Sequence, residues 1–393
     1  MIDYDPFSEE VIEDPHAIYA RLREEAPCYH LEKWDAWALS LFEDIWQASM
    51  DEENYSAAQG TTAAHLLTRV QPVTPMINMM DPPDHTTLRS RISKFFTPGV
   101  VRRLEGEIQK FVDEAWAGIA DRDGADLFNE FATKVSVKVA CLANGFPIED
   151  SDTLNKMVWR FFAREEGVDG MTQDGLAAMM EMTAYFAELI QKRRAAGVSD
   201  GSVIDVALDV EIDDRKFSDE EAGSHLSMFL IGGAETFPKV FSSAVHRLWQ
   251  HPDQRAECAA DPSLIPHAFQ EVLRYDMPTQ FLMRVLKHDV TLHGETMREG
   301  RPVMFLYPSA NRDRREFENP DAFDIHRRAE RILSFGHGTH ACIGQHFAKL
   351  EGRLCVEKLL SQAPEYEVTE AELQRIRTEF VQGWETMPVR FRP

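Results

Sequence analysis

Apolar residues recur at three-to-four-residue spacing through most of the chain, with two interruptions where they alternate instead. Residues 16–26 carry the helical pattern, whereas 29–40 alternates around the polar break Glu32-Lys33 and predicts a small hairpin. From Asp84 onward the helical pattern dominates, over 84–96, 99–119, 126–144, 171–195 and 218–250. Ser218 followed by Glu221 is a capping-box signature at the start of the last of these. A second extended region predicts strands at 285–292 and 302–307, separated by a turn at Gly294. A final helix over about 344–362 and short closing strands complete the pattern. No repeat, low-complexity tract or long Pro/Gly/Ser linker interrupts it. The expected fold class is mainly α with small β-sheets, in one large domain over residues 1–393.

Charge narrows the partners. Lys and Arg number 42 against 66 Asp and Glu, a net charge of -24 that repels phosphate backbones and anionic lipid. Nucleic acid is therefore not an expected partner. The acidic first 15 residues hold no apolar stretch, so no secretory signal or transit peptide is expected. The longest apolar runs, 228–231 and 303–307, fall far short of the roughly 20 residues that span a bilayer, so no membrane anchor is expected. Five cysteines, odd in number and without a CxxC pair, argue against a disulfide framework or a zinc ribbon and for a reducing, cytoplasmic location.

The densest special chemistry lies in 334–344, Ser-Phe-Gly-His-Gly-Thr-His-Ala-Cys-Ile-Gly. Its three glycines permit backbone shapes denied to other residues, and a helix is predicted to follow. A cysteine at a helix N-terminus feels the positive end of the helix dipole, which favours the metal-binding thiolate. A lone cysteine is ordinarily a small buried apolar residue. Here Phe335, Gly336, Gly338, His340, Cys342 and Gly344 fix six positions, a chance match on the order of one in a million. Gly336-x-Gly338-x-x-Ala341 also satisfies a dinucleotide fingerprint, with Glu357 where a ribose-binding acid would sit. That fold needs strand–helix–strand units after the loop, and only 49 residues follow Gly344.

The segment resembles the heme-binding loop of the cytochrome P-450 family, the heme-thiolate monooxygenases of soluble bacterial type, with Cys342 matching the axial ligand. The resemblance implies a P-450 fold, heme b (iron protoporphyrin IX) as cofactor, O2 as co-substrate, and Cys342 as the metal ligand flanked by Phe335 and Gly344. A thiolate on heme iron pushes electron density toward O–O cleavage. Glu271 and Arg274 lie three apart on one helical face and, followed by Tyr275, Pro278 and Arg284, resemble the family's ExxR helix. By resemblance they join Arg327 as structural support ahead of the cysteine loop. His85 and Arg89, four apart, share a face able to grip an anion, and their segment resembles the heme-contacting helix. Arg284 and His340 match positions that contact heme propionates.

Within 218–250 the run Gly232-Gly233-Ala234-Glu235-Thr236-Phe237-Pro238 concentrates helix-weakening residues. Pro238 cannot donate to the carbonyl of Ala234, so the ladder opens there. The run resembles the family's oxygen-binding groove: Gly233 admits the cofactor, and Glu235 and Thr236 match its catalytic acid–alcohol pair, relaying protons and positioning water. Phe237 and Pro238 depart from the small polar residues commoner there.

The resemblance covers 5–7, 81–98 and 228–355 and leaves no room for a fused flavin or iron–sulfur domain, so electrons are expected from a separate ferredoxin and ferredoxin reductase. Arg91, Lys94, Arg102, Lys349 and Arg353 are candidates for the basic docking patch. Matching segments place substrate contacts in 61–75, at Leu226, Phe229 and Leu230, at Gln280, Phe281, Leu282 and Met283, and at Val381, with Arg69 or Gln280 orienting a polar end. These are mainly apolar and imply a lipophilic small molecule such as a terpenoid, steroid, fatty acid or aromatic compound. The expected reaction is hydroxylation, or oxidative dealkylation or epoxidation. A heme-based gas or ligand sensor and a peroxide-driven heme-thiolate enzyme are the alternatives.

Overall fold

Between Asp84 and Gln362 the apolar stripes become helices that each bury one face. In the computed structural model, which describes residues 2–71, 74–165, 168–197, 199–212 and 214–391, the principal helices are Asp84–Ser93, Pro98–Ala117, Thr133–Asn144, Ser151–Phe162, Gln173–Ala196, Asp219–Ala234, Thr236–Gln250, Ile265–Tyr275 and Gln345–Gln362. Local signals set several ends. Thr97 accepts from the Val100 amide ahead of Pro98, and Ser218 and Glu221 make both bonds of the capping box. Asp219–Ala234 lies at the centre of the helical core, with Leu226 and Leu230 fully buried. It approaches Gln173–Ala196 so closely at Gly223 that a Cβ there would stand 2.6 Å from the Thr183 carbonyl oxygen.

The sheets sit beside the helices. The hairpin Cys28–Leu31 and Ala36–Leu39 pairs in parallel with Pro302–Leu306, which is antiparallel to Phe281–Leu286, with Tyr55–Ser56 on the far edge. A three-stranded sheet joins Glu367–Val368, Pro388–Arg390 and Gly124–Asp126. The architecture is mainly helical with small sheets, as the pattern predicts. Among the described residues no helix is long and apolar enough to cross a membrane.

Three sequence expectations are corrected. The stretch 218–250 is two helices meeting at Glu235, because Pro238 has no amide to carry the ladder through and Gly232 and Gly233 weaken the helix just before it. The stretch 126–144 opens with a π-helical segment, Leu127–Ala132, whose amides at Phe128 and Asn129 are capped by the Asp126 carboxylate. The extended stretch 285–292 belongs to two strands, Phe281–Leu286 and Val290–Leu292, and the turn at Gly294 joins the second to Glu295–Met297 rather than to Pro302–Leu306. His293 and Gly294 both have positive φ there, the geometry of a two-residue hairpin.

Candidate active site

The cysteine loop is built by backbone shape. Gly336 and Gly338 adopt φ of 66° and 70°, and a side chain at Gly338 would collide with the Ser49 carbonyl oxygen. The Cys342 amide donates to the Phe335 carbonyl at 2.7 Å, closing the loop just before Gln345–Gln362. The Cys342 side chain opens onto a cavity of about 390 Å³. Enclosure raises its thiol above the ordinary range, and the Gly344 amide, the Arg89 charge and the Gln345 amide act in the opposite direction.

A cationic rim lies beside it. His85 and His340 stack with ring centroids 4.1 Å apart, and both line the cavity with Arg89 and Arg284. Burial pushes the imidazoles down, to about 4 for His85 and about 2 for His340, with the neighbouring guanidinium groups adding to the effect. His85 Nδ1 is buried without a partner. Arg89 donates to the Ala341 carbonyl and Arg284 to the Met283 carbonyl at 2.8 Å. Among the described residues neither guanidinium has a carboxylate within ion-pair distance. A buried guanidinium at Arg284, a half-buried one at Arg89 and an orphaned imidazole nitrogen, grouped around a sulfur-lined chamber, are a donor set that suits an anionic metal macrocycle. The residues present fit heme.

The opposite wall is the junction at Glu235. The carbonyls that end Asp219–Ala234 lose their amide partners, and hydroxyls take over: Thr236 Oγ1 donates to Gly232 O at 3.4 Å, and Ser136 Oγ reaches Gly233 O at 2.9 Å and Ala234 O at 3.3 Å. A Cβ on Gly233 would stand 2.8 Å from that of Ala140. Glu235 Oε1 pairs with Lys239 Nζ, both residues being buried, and Nζ also donates to the Glu235 carbonyl at 3.2 Å. The Lys239 ammonium lies 6.0 and 5.9 Å from the rings of Phe128 and Phe162. Glu235 Oε2 is buried with no partner, and Glu235 and Thr236 both line the cavity.

Below the loop, the Glu271 carboxylate receives Arg274 Nη2 at 2.7 Å, Arg274 Nε at 2.8 Å, and the Asp324 amide and Arg327 Nε each at 3.1 Å. Arg274 spends its other donors on the carbonyls of Asn311, Pro320 and Ala322. Asn311 in turn binds Ser334 Oγ at 2.9 Å and the Leu333 amide at 2.8 Å, so the brace reaches the first residue of the cysteine loop.

Of the expected substrate contacts, Phe229 and Leu282 line the cavity. Leu226, Leu230, Gln280, Phe281 and Val381 do not, and this corrects the expectation. Leu226 and Leu230 share the stripe of their helix that faces the core, whereas Met228, Phe229 and Gly232 face the cavity. Phe281 points to the opposite face of its strand from Leu282 and packs in a separate cluster. Gln280 is engaged by the Tyr19 hydroxyl at 3.1 Å, and the Val381 carbonyl accepts from Thr378 Oγ1 at 2.9 Å. Met283 is likewise in the core, and Arg69 is not a cavity residue. In 61–75, Thr61, Thr62, Ala64 and His65 line the cavity, and residues 72–73 lie outside the described residues. Of the expected basic patch, Arg91, Lys94 and Arg102 are exposed, Lys349 sits 5.5 Å over the Phe335 ring, and Arg353 is neutralised by Glu105 and Glu357.

Sequence reasoning misses Ser136, Lys239, Arg164 and Glu379, all at or beside the cavity. Only Lys239 had a local signal, its four-residue spacing from Glu235.

Comparison with known proteins gives the family and the fold. The family model described as Cytochrome P450 matches residues 51–382. The vitamin D(3) 25-hydroxylase of Pseudonocardia autotrophica is 34% identical over 397 residues, covering 99% of this chain and 97% of that protein. The biotin biosynthesis cytochrome P450 of Bacillus subtilis is 32% identical, covering 98% of each chain. The crystal structure of CYP109E1 from Bacillus megaterium in complex with testosterone superposes with a TM-score of 0.88 at 25% identity, over 98% of this chain and 100% of that one.

Proposed function

This chain belongs to the cytochrome P450 family, the heme-iron monooxygenases that use O2, and on that premise we propose that it oxidises a lipophilic small molecule, with Cys342 as the residue whose thiolate would hold the heme iron. The observation that carries the reading is the Cys342 side chain opening onto a cavity rimmed by Arg89, Arg284, His85 and His340, with the two guanidinium groups lacking carboxylate partners among the described residues. When bound, the heme supplies the iron at which O2 is activated by two electrons.

This chain's own residues do the rest. Arg89, Arg284 and His340 would hold the propionates of a bound heme, and His85 Nδ1 would supply a further polar contact. Thr236 Oγ1, which lines the cavity beside the carbonyl of Gly232, would hold water beside a bound heme, and the unpartnered Glu235 Oε2 would accept from that water. Glu271, Arg274 and Arg327 fix the approach to the cysteine loop. The chamber beyond is walled by Phe161, Phe162, Met179, Met228 and Phe229, which favours an apolar body held by dispersion and desolvation. The vitamin D(3) hydroxylase and the testosterone complex support a steroid-like or terpenoid body, and fatty acids and aromatic compounds remain in the class. We assign electron supply to a separate ferredoxin and its reductase, docking at the exposed Arg91, Lys94 and Arg102, in the cytoplasm.

The test is the difference spectrum of the dithionite-reduced protein with and without carbon monoxide. A thiolate trans to carbon monoxide moves the Soret band strongly to the red, and Cys342→Ala is expected to abolish that band. No heme signal after heme-supplemented expression, or a band that survives in Cys342→Ala, overturns the assignment.

A further inference from the structure

The chamber wall is mainly apolar, with scattered polar residues such as Thr61, His65 and Asn78 and, among the described residues, one arginine–carboxylate pair. Arg164 and Glu379, 215 residues apart in sequence, both line the cavity and meet on its wall in a two-point ion pair, Nε to Oε2 at 3.1 Å and Nη2 to Oε1 at 3.2 Å. Their side chains are 15% and 4% exposed, and around them lie Phe161, Phe162, Met171 and Phe380. The Phe162 and Phe380 rings stack alongside at 6.2 Å and 15°. Such a pair is a poor structural device, since replacing a buried ion pair by apolar residues of similar volume is often neutral or stabilising. Its position on the cavity wall calls for another explanation.

We infer that Arg164 and Glu379 form the polar anchor of the substrate site, selecting lipophilic molecules that carry a neutral hydroxyl or carbonyl over both plain hydrocarbons and charged analogues. The inference rests on the monooxygenase reading and adds the substrate's polar group to it.

The hydrogen-bond inventory gives the selectivity. A guanidinium has five N–H donors. Arg164 uses Nε and one Nη2 hydrogen on Glu379, and Nη1 on the carbonyls of Phe162 and Ala163 at 3.2 and 3.3 Å, which end the helix Ser151–Phe162. One Nη2 hydrogen is left over. Each Glu379 oxygen accepts one bond and keeps a free lone pair. The pair therefore offers one donor and spare acceptor sites, already held in place from two sides, and carries no net charge. A hydroxyl satisfies both at once, and a ketone satisfies the donor. An ammonium or carboxylate must instead break the pair, leaving Arg164 or Glu379 buried and alone. A hydrocarbon leaves the spare sites desolvated and unpaired, the situation in which discrimination is greatest.

Two matched series serve as probes: cyclododecane, cyclododecanol, cyclododecanone and cyclododecanecarboxylate, and androstane with its 3-hydroxy and 3-keto derivatives. Dissociation constants for the heme-loaded enzyme are read from the ligand-induced Soret shift and checked by equilibrium dialysis. In at least one series the alcohol or ketone is expected to bind tenfold or more tightly than the hydrocarbon. Arg164→Met/Glu379→Met removes both charges at similar volume and should bring that ratio to within twofold, leaving hydrocarbon binding unchanged within threefold. Glu379→Gln keeps the shape but unbalances Arg164, and should shift preference toward the carboxylate by tenfold or more. No preference in the wild type, a ratio unchanged in the double variant, a uniform loss across the series, or no carboxylate gain in Glu379→Gln each overturns the anchor. The carbon monoxide spectrum of the same preparations separates that failure from failure of the monooxygenase reading. Should the double variant not fold, Glu379→Gln alone decides.

Discussion

Ser136 serves a carbonyl that Pro238 leaves open, and the two residues can be tested against each other. The side chain is fully buried, and its single hydroxyl hydrogen is shared between Gly233 O at 2.9 Å and Ala234 O at 3.3 Å. In an unbroken helix the amide of residue 238 would serve Ala234 O, and proline has none. Ser136→Ala therefore leaves a buried carbonyl unsatisfied, at a cost of about 1–3 kcal/mol. The hole left by one oxygen atom is small, which places the expected loss near 1.5 kcal/mol. Pro238→Ala returns the missing amide to the same carbonyl. In that background Ser136→Ala is expected to cost about 1 kcal/mol less, a coupling well inside the range of contacting residues. Urea unfolding of the four proteins, heme-loaded and at neutral pH, yields the cycle. Equal costs in both backgrounds refute the account, as does a loss below about 0.5 kcal/mol in the Pro238 background, the size of an ordinary surface change.

Two further outcomes follow from the buried charges and imidazoles. Glu271→Gln removes the charge opposing Arg274, which is 0% exposed, and is expected to cost about 3–5 kcal/mol and to lower heme content, as read by the urea midpoint and the Soret absorbance per chain; near-native values would refute the bracing role. His65, His225 and His246 are each pushed by burial from 6.5 to about 4, so between those values the unfolded chain binds more protons than the folded one, and stability present above pH 6.5 is lost as pH falls toward 4. Urea midpoints at pH 7, 6 and 5 should fall in that order, and a flat series would sink the reasoning.

What the sequence discloses depends on whether the cause is local. Helix stripes, the Ser218–Glu221 cap and the cysteine loop are written in consecutive residues, and the structure realises each within a few positions. The ExxR spacing likewise places Glu271 and Arg274 in contact. The break at Glu235 was half legible: proline and glycine announce a weakened ladder, but the hydroxyl that compensates comes from Ser136, about 100 residues earlier. The Arg164–Glu379 pair has no local sign at all, since neither residue carries a periodic or motif-based reason to face a cavity. The misplaced substrate contacts share one error. Matching segments locate an element, but which face of it looks into the chamber is fixed by packing, and a shift of one residue along a strand, as between Phe281 and Leu282, reverses the answer.

The parallel pairing of Ala36–Leu39 with Pro302–Leu306 has a temporal consequence. Trp37 and Val303 are roughly 270 residues apart, so the sheet closes only after that much chain has been made. At about 5–20 residues per second the early hairpin waits roughly 15–50 s at the ribosome without its central strand. Through that interval Leu31, Ala36 and Ala38, all buried in the finished protein, remain uncovered beside an unpaired strand edge. The helical region from Pro98 to Tyr275, whose partners lie closer in sequence, has time to assemble first. Nascent-chain aggregation should therefore be governed by the first forty residues and relieved once residue 306 emerges.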